Sequence, residues 1–294
     1  MKLTEQRKGE LYSLAEMLLW APWPVVAVLS YQYLPSLVSF AWSAVFAMVA
    51  LGIWVVARGT WRELKNAAVW KYAFVTAFFN GFAFHALYFV ALNYTTPGNA
   101  ALIGLLNALT NFLFFTYVRG ERVRFAYVVG TALMMLGGAI VLLPNIGSAN
   151  LGDLLTLIAV CCTPFGNFAM QKGRELVSAE SLIFLRNVFI VPMIFLTTFL
   201  LGETAPLSDV GASVAFLFFN GVIVLALSKI LFVEAIKRIS VSKATALESA
   251  APLVTLFFAW LLLGQVPTLW QVVAFIPLAL GVLLLTDQVR IGKA

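Results

Sequence analysis

The chain has 294 residues, of which 62% are hydrophobic and 11% charged, and its formal net charge is +6. A mean hydropathy of +0.96 leaves too little polar surface for a soluble globular protein of this size. The composition therefore predicts an all-α integral membrane protein. Its apolar stretches of about 18 to 23 residues suit helices that cross ~30 Å of hydrocarbon, whereas barrel strands are about half as long.

Ten transmembrane helices are predicted along the chain. Their approximate spans are 11–30, 36–57, 72–93, 98–118, 125–143, 152–172, 181–201, 213–235, 243–263 and 268–286. The charged segment Met1–Glu10 precedes the first span and could be mistaken for the start of a secretory signal. The apolar run that follows is long and lacks a small-residue cleavage site, so we predict a helix there.

Lysine and arginine residues fall on one side of this topology. They lie before helix one, after each even-numbered helix and at the chain end, whereas the opposite loops contain none. Because basic residues are retained on the cytoplasmic side, both termini are predicted to be cytoplasmic. The positive charge then reflects topology, and no nucleic-acid partner is expected.

The two halves of the sequence resemble each other. One offset superposes Ala91 on Ala235, Ala100 on Ala244, Leu109 on Leu253 and Gly137 on Gly281. The tetrapeptide Phe-Phe-Asn-Gly occurs at 78–81 and again at 218–221. We therefore predict two five-helix repeats, residues 1–145 and 146–294. Because five is odd, the second repeat is inverted, an arrangement that places the binding site of many secondary transporters between the halves.

Polar and aromatic side chains recur on one face of five predicted helices. Since a polar group facing lipid is costly, these faces are predicted to enclose a central cavity. The candidate substrate-binding residues are Trp20, Trp23, His85, Tyr88, Asn107, Asn111, Phe165 and Asn167. The alternative is that such residues only join helices to one another, and a neutral His85 bonded to a neighbouring helix would do the same.

Away from the ends of the predicted spans, four charged residues fall inside them: Glu16, Arg186, Lys229 and Glu248. At 1.5 Å per residue, each lies roughly 7 Å to the cytoplasmic side of its helix centre. Two acids and two bases at one depth are predicted to neutralise one another, as Lys229 with Glu248 or Arg186 with Glu16, and to form a gate. The alternative for the two basic residues is that they extend to the membrane interface.

Prolines are predicted to break helices at matching places in the two halves. Pro22 and Pro24 lie in helix one, Pro164 in helix six and Pro252 in helix nine. Interrupted helices often line a transporter's binding site, although a proline can also be a tolerated kink. The pairing of Pro22 with Pro164 favours the functional interpretation.

Sequence motifs for catalysis are missing. There is no His-Glu-x-x-His zinc motif and no paired Asp-rich motif, and Asp153 stands where a phosphate-binding loop requires lysine. We therefore expect no enzymatic activity, no metal and no cofactor.

The segment 239–248, Ile-Ser-Val-Ser-Lys-Ala-Thr-Ala-Leu-Glu, together with Pro252, resembles the penultimate-helix signature of EamA-type carriers of the drug/metabolite transporter superfamily. The sequences Arg-Gly-Glu at 119–121 and Leu-Gly-Gln at 263–265 are similar to the family's repeated pattern. The resemblance implies a ten-helix carrier. The offset that superposes the two halves matches Gly104 to Glu248, so Gly104 departs from the family's pattern. The two halves are therefore chemically unequal.

Among bacterial members, the chain is most similar to inner-membrane exporters of aromatic amino acids and related compounds. This resemblance implies a secondary transporter that exports aromatic and other apolar amino acids by alternating access. The aromatic candidates would pack around the substrate side chain, and the amides and histidine would bond its amino and carboxylate groups. Besides substrate and membrane lipid no partner is implied, and a monomer suffices.

The rival prediction is a proton-coupled exporter of cationic drugs or polyamines. Glu16 occupies a place comparable to that of the first-helix acid of small multidrug carriers, which are distant relatives. A Glu16 paired with Arg186 or Lys229 favours the amino-acid prediction, and an isolated Glu16 favours cation–proton exchange. A channel or a scaffold is the alternative from another class.

Overall fold

A computed structural model describes residues 4–119, 125–142 and 150–285 of the chain. Across these residues the regular secondary structure is helical, as the composition predicts. Seven helical stretches are long and apolar enough to cross a membrane: Glu5–Ser30, Ser36–Ala57, Ala67–Ala91, Pro97–Val118, Leu151–Arg174, Ala179–Leu200 and Val214–Arg238. The predicted boundary between the halves, at 145 and 146, lies outside the described residues.

The described residues of the first half form eight α-helices, one 3₁₀ helix and one π-helical segment. The α-helices are α1 (Glu5–Trp20), α2 (Trp23–Ser30), α3 (Ser36–Ala57), α4 (Ala67–Thr76), α5 (Phe84–Ala91), α6 (Pro97–Gly104), α7 (Leu106–Arg119) and α8 (Phe125–Leu142). A 3₁₀ helix, Thr60–Lys65, precedes α4, and the π-helical segment Ala77–Ala83 joins α4 to α5.

The second half follows a related order of helices. They are α9 (Leu151–Arg174), α10 (Ala179–Leu200), α11 (Leu207–Ala212), α12 (Val214–Phe218), α13 (Lys229–Arg238), α14 (Val241–Leu247), α15 (Ala251–Leu263) and α16 (Leu269–Leu285). The π-helical segment Phe219–Ser228 joins α12 to α13, and a 3₁₀ turn, Glu248–Ala250, joins α14 to α15. The Phe-Phe-Asn-Gly tetrapeptide thus falls at a π-helical segment in both halves.

Two helices begin earlier than their apolar stretches predict. Helix α1 starts at Glu5 rather than at 11, because the Thr4 side chain accepts a hydrogen bond from the backbone N–H of Arg7. Helix α4 starts at Ala67 rather than at 72, where the Asn66 side chain accepts from Ala68. These N-caps satisfy first-turn N–H groups and carry the helices into charged sequence that hydropathy alone excludes.

The proline in helix α9 does not interrupt it, so the predicted break at Pro164 is wrong. The helix runs continuously from Leu151 to Arg174. Proline cannot donate a hydrogen bond to the carbonyl four residues earlier, here that of Val160. That carbonyl accepts instead from the hydroxyls of Thr163, at 2.8 Å, and Thr110, at 3.3 Å. The lost backbone bond is replaced, and the helix continues.

The other three prolines that were predicted to break helices, Pro22, Pro24 and Pro252, do lie at breaks, and a hydrogen bond joins the two broken helices. Helix α1 ends at Trp20 and α2 begins at Trp23, with Pro22 and Pro24 at the junction. Helix α15 begins at Ala251, with Pro252 in its first turn, after the 3₁₀ turn. The Thr255 hydroxyl donates to the carbonyl of Ala21 at 2.6 Å. A carbonyl at the first break is therefore satisfied from the second half of the chain.

Helices from the two halves pack against each other throughout the molecule. Helix α16 lies along α8, α10 along α3, α13 along α1, and α9 along α5. Near the ends that carry the basic residues, Lys243 also bonds to Glu10 at 2.6 Å, and the Ser178 N–H donates to Glu63 at 2.7 Å. Burial raises the pKa of Glu63, but its bonds to Ser178 outweigh this effect and hold that pKa below its ordinary value.

Candidate functional site

A cavity lies where helices of the two halves meet. It contains about 820 Å³ of space not filled by atoms, part of it open to solvent. Its walls come from α1, α2, the π-helical segment Ala77–Ala83, α5, α6, α7, α9, α13, α14, the 3₁₀ turn Glu248–Ala250 and α15. Because the two broken helices border it, the cavity lies where the chain is least regular.

One wall of the cavity is a chain of hydrogen-bonded amides. Asn80 donates to Asn167 at 2.5 Å, and Asn167 donates to Asn111 at 3.0 Å. Asn111 donates in turn to Asn107, whose side-chain oxygen also lies against the Thr163 hydroxyl. Each bond fixes the orientation of the next amide, so the polar groups that face the cavity are held in place before any ligand binds.

The amide wall has two layers. Asn80, Asn107, Thr163 and Asn167 border the cavity, whereas Asn111 is fully buried behind them. Asn111 was predicted to contact substrate, but in the structure it supports the side chains of Asn107 and Asn167 that border the cavity. Asn80 was not predicted at all, although the repeated Phe-Phe-Asn-Gly tetrapeptide marks it in the sequence.

A second wall is aromatic. Trp20, Phe84, Tyr88 and Phe232 border the cavity. Trp23, which was predicted to bind substrate, is fully buried one layer further away. Its ring centroid lies 4.5 Å from that of Trp20 and 4.6 Å from that of Tyr88. Trp23 therefore supports the two rings that border the cavity.

His85 does not border the cavity, in contrast to the prediction. Its side chain is fully buried, stacked on Phe40 with 5.5 Å between centroids and packed against Trp23 at 5.4 Å. Its Nδ1 lies 2.8 Å from the Gly81 carbonyl of the preceding turn. Because Phe84 is on the cavity face, the next residue is rotated away from it by about 100°. His85 is thus a packing residue in this structure.

Phe165 also differs from its predicted position. The side chain is 45% exposed on the outside of α9, where it stacks on Phe79 and contacts Phe114. Thr163 and Asn167 point to the cavity, and a residue midway between them on a helix faces the opposite side. The outward face of α9 is the side that lipid would contact.

A third wall carries charge. The Lys229 ammonium lies 2.8 Å from a Glu16 carboxylate oxygen and 3.8 Å from the centroid of the Trp20 ring. Lys229 and Glu248 border the cavity, whereas Glu16 is buried behind them, only 1% exposed. The ion pair differs from both predicted pairings, because α1 packs along α13 and brings Glu16 to Lys229. Lys229 is 8% exposed, so it does not extend to the membrane interface.

Arg186 is not paired with Glu16 or Glu248. Its side chain is fully buried, and one guanidinium nitrogen donates to the Leu225 carbonyl at 3.2 Å. Its Nε and Nη1 have no hydrogen-bond partner among the described residues. The predicted pair with Glu16 is therefore wrong, since Glu16 is bonded to Lys229 instead. Arg186 stands outside the cavity wall.

Comparison with known proteins gives a family match over nearly the whole chain. The sequence profile of the EamA-like transporter family matches twice, at residues 7–143 and 150–287. A solved crystal structure superposes with a TM-score of 0.76, covering 97% of this chain and 99% of the other. The two sequences are 19% identical, so this likeness concerns the fold alone.

Two curated proteins are similar in sequence. The uncharacterized transporter YyaM of Bacillus subtilis is 25% identical over 225 residues, which is 72% of each chain. The aromatic amino acid exporter YddG of Ancylobacter novellus is 45% identical over 62 residues, which is 21% of each chain.

Proposed function

The chain belongs to the EamA-like transporter family of membrane proteins, and from this premise we propose that it exports amino acids across the bacterial inner membrane. The substrates are aromatic and other apolar amino acids and related metabolites, carried by alternating access. The observation that carries the proposal is the cavity between the halves, which has aromatic rings on one wall and amide and charged groups on the others.

The chemistry of the cavity matches the parts of an apolar amino acid. Trp20, Tyr88 and Phe232 offer ring surfaces against which an apolar side chain packs. Glu248 is a carboxylate suited to the substrate's ammonium group, and the N–H and O–H donors of the amide wall suit its carboxylate. The name of the relative YddG, an aromatic amino acid exporter, supports the same substrate class.

Contacts between the halves support the proposal of two inverted five-helix repeats. Gly137 packs on Leu278, and Gly281 packs on Met134. The offset that superposes Gly137 on Gly281 also superposes Met134 on Leu278, so each contact is the counterpart of the other. A two-fold relation between repeats requires such reciprocal contacts.

The π-helical segments give a second reciprocal pair. A Cβ on Gly81 would lie 2.3 Å from Ile190 in α10, and a Cβ on Gly221 would lie 2.4 Å from the Ser43 carbonyl in α3. Each glycine lets its segment approach a helix of the other half. Together with the two family matches, these contacts support ten spans, with α8, α15 and α16 completing the set of longer helices. An even number of spans puts both termini on one side, and the basic residues on that side favour the cytoplasm.

The alternative function is proton-coupled export of cationic drugs or polyamines. The observation that favours it is Glu248, a carboxylate bordering the cavity without an ion-pair partner among the described residues. Glu16, on which the alternative first depended, is paired with Lys229. The Glu16–Lys229 pair favours amino acids over cationic drugs or polyamines as substrates.

Counterflow in proteoliposomes tests the proposal. Vesicles loaded with unlabelled phenylalanine are expected to accumulate labelled phenylalanine transiently, because a carrier exchanges substrate in both directions. Tryptophan and leucine should compete, while spermidine and a cationic dye should compete poorly. Efficient competition by the cations alone would favour the alternative, and non-saturable uptake would indicate a channel. Protein-free vesicles are the control.

A further inference from the structure

Two carboxyl groups share one ammonium group at the charged wall of the cavity. Glu16 on α1 accepts from Lys229 on α13 at 2.8 Å, and Glu248 lies close enough to interact with both. Among the described residues, Glu16 Oε2 and Glu248 Oε1 are buried and have no hydrogen-bond donor. Each acid therefore has one enclosed oxygen for which the protein supplies no hydrogen.

The charge of this cluster does not balance while both acids are ionised. Two carboxylates and one ammonium carry a net charge of −1, and charge at membrane depth is costly. When two carboxyl groups share a site, ionisation of one opposes ionisation of the other. A single proton held between them would neutralise the cluster and give both enclosed oxygens a hydrogen-bond partner.

Other charged groups near the cluster do not supply that missing positive charge. The 3₁₀ turn that carries Glu248 packs against α1, α14, α15 and α16. On α1 and α14, Glu10 and Lys243 bond to each other at 2.6 Å. Arg186 donates to a backbone carbonyl elsewhere, and the described parts of α15 and α16 contain no charged residue. Lys229 is thus the cation that faces Glu248 and Glu16.

We propose that Glu248 and Glu16 together bind one exchangeable proton, and that the ammonium group of the exported substrate displaces it. The ammonium takes the proton's place beside Glu248, the proton leaves to water in the cavity, and the substrate's carboxylate binds the amide wall outside the cluster. The positive charge that balances the two acids together with Lys229 is thus present in both states. Without proton or substrate the cluster carries −1, which disfavours reorientation across the membrane. Export of one substrate is thereby coupled to entry of one proton.

This inference rests on the proposed function only for the identity of the substrate. It is tested on purified full-length protein in detergent with three probes: phenylalanine, phenethylamine, which keeps the ammonium, and phenylpropionate, which keeps the carboxylate. In weakly buffered solution with a pH indicator, the first two should release up to about one proton per site, and the third none. The affinities of phenylalanine and phenethylamine should rise by up to about tenfold per pH unit over the pH range in which Glu248 and Glu16 hold their shared proton.

Variants assign the proton to the pair. Glu248→Gln should bind the ammonium probes more weakly, with an affinity independent of pH and without proton release. Glu248→Asp keeps a carboxyl group and should retain release, so it decides the question if the glutamine variant does not fold. Glu175→Gln, which alters an exposed acid paired with Lys172, should match the wild type.

The outcomes separate this inference from the proposed function. Phenylalanine binding with pH-independent affinity and no proton release overturns the inference and leaves amino-acid export standing. Proton release with phenethylamine but no binding of phenylalanine supports the inference and overturns the amino-acid proposal. Release that persists in Glu248→Gln, or no release with either ammonium probe, overturns the inference.

Discussion

Lys229→Met is expected to lower the free energy of unfolding by about 3–5 kcal/mol, because it leaves the buried carboxylate of Glu16 without its partner. The substitution also removes the cation from the face of the Trp20 ring. Transport should be lost, since the charged wall borders the cavity. Unfolding in mixed micelles, followed by circular dichroism, measures the stability change.

Two further variants show whether charge is the cause. Glu16→Gln combined with Lys229→Met removes both charges and should recover most of the lost stability. Lys172→Met breaks an exposed pair with Glu175, and it should change the unfolding free energy by less than about 1 kcal/mol. A double variant as unstable as Lys229→Met alone would contradict the ion-pair explanation.

Gly166→Ala is expected to disrupt the contact between α9 and the π-helical segment Ala77–Ala83. A Cβ at this position would lie 2.3 Å from the Asn80 Cβ and 2.8 Å from the Asn80 backbone nitrogen. Neither atom belongs to a flexible side-chain end, so the two helices must move apart. Overpacking of this kind costs about 1–3 kcal/mol or more, and here it also displaces the first member of the amide wall.

Thermal unfolding and phenylalanine binding measure the consequence. Both the melting temperature and the affinity of Gly166→Ala should fall, because Asn80 bonds to Asn167 at the cavity. Gly211→Ala is the matched control, since a Cβ there meets nothing within 4 Å. A Gly166→Ala protein that unfolds and binds like the control would show that the close approach is not needed.

Helical spacing in the sequence located much of the cavity. It selected Trp20, Tyr88, Asn107 and Asn167, which border the cavity in the structure, because polar groups within membrane spans turn away from lipid. It did not distinguish residues at the cavity from those one layer behind, such as Trp23. The side chains of both layers face the protein interior, and helical spacing in the sequence indicates only which side chains do not face lipid.

The position of His85 shows a different limit. His85 and Tyr88 lie three residues apart in α5, so regular spacing makes them neighbours on one side of that helix. The cavity face of α5 carries Phe84 and Tyr88, and His85, one residue past Phe84, points about 100° away from it. The spacing placed both polar side chains on one side of the helix, but it did not show which edge of that side meets the cavity.

The sequence likewise did not determine which of the four charged residues pair with each other. Four charges at one membrane depth allow several pairings, and depth follows from the 1.5 Å rise alone. The choice of Lys229 for Glu16 depends on α1 lying along α13, which is a matter of helix packing. Arg186 remains bonded to a backbone carbonyl for the same reason.

The central claim is that an amino acid binds in the cavity between the halves, and substrate protection of a cavity cysteine tests it most directly. Gly104 borders the cavity, and a Cβ there meets nothing within 4 Å, so Gly104→Cys fits. The variant is made with Cys161 and Cys162 replaced by alanine, and Ser208→Cys, at an exposed position of α11 outside the long apolar helices, is the control. Saturating phenylalanine is predicted to slow maleimide labelling of Gly104→Cys at least several-fold and to leave Ser208→Cys unchanged. Equal labelling rates of Gly104→Cys with and without phenylalanine, tryptophan and leucine would contradict the account.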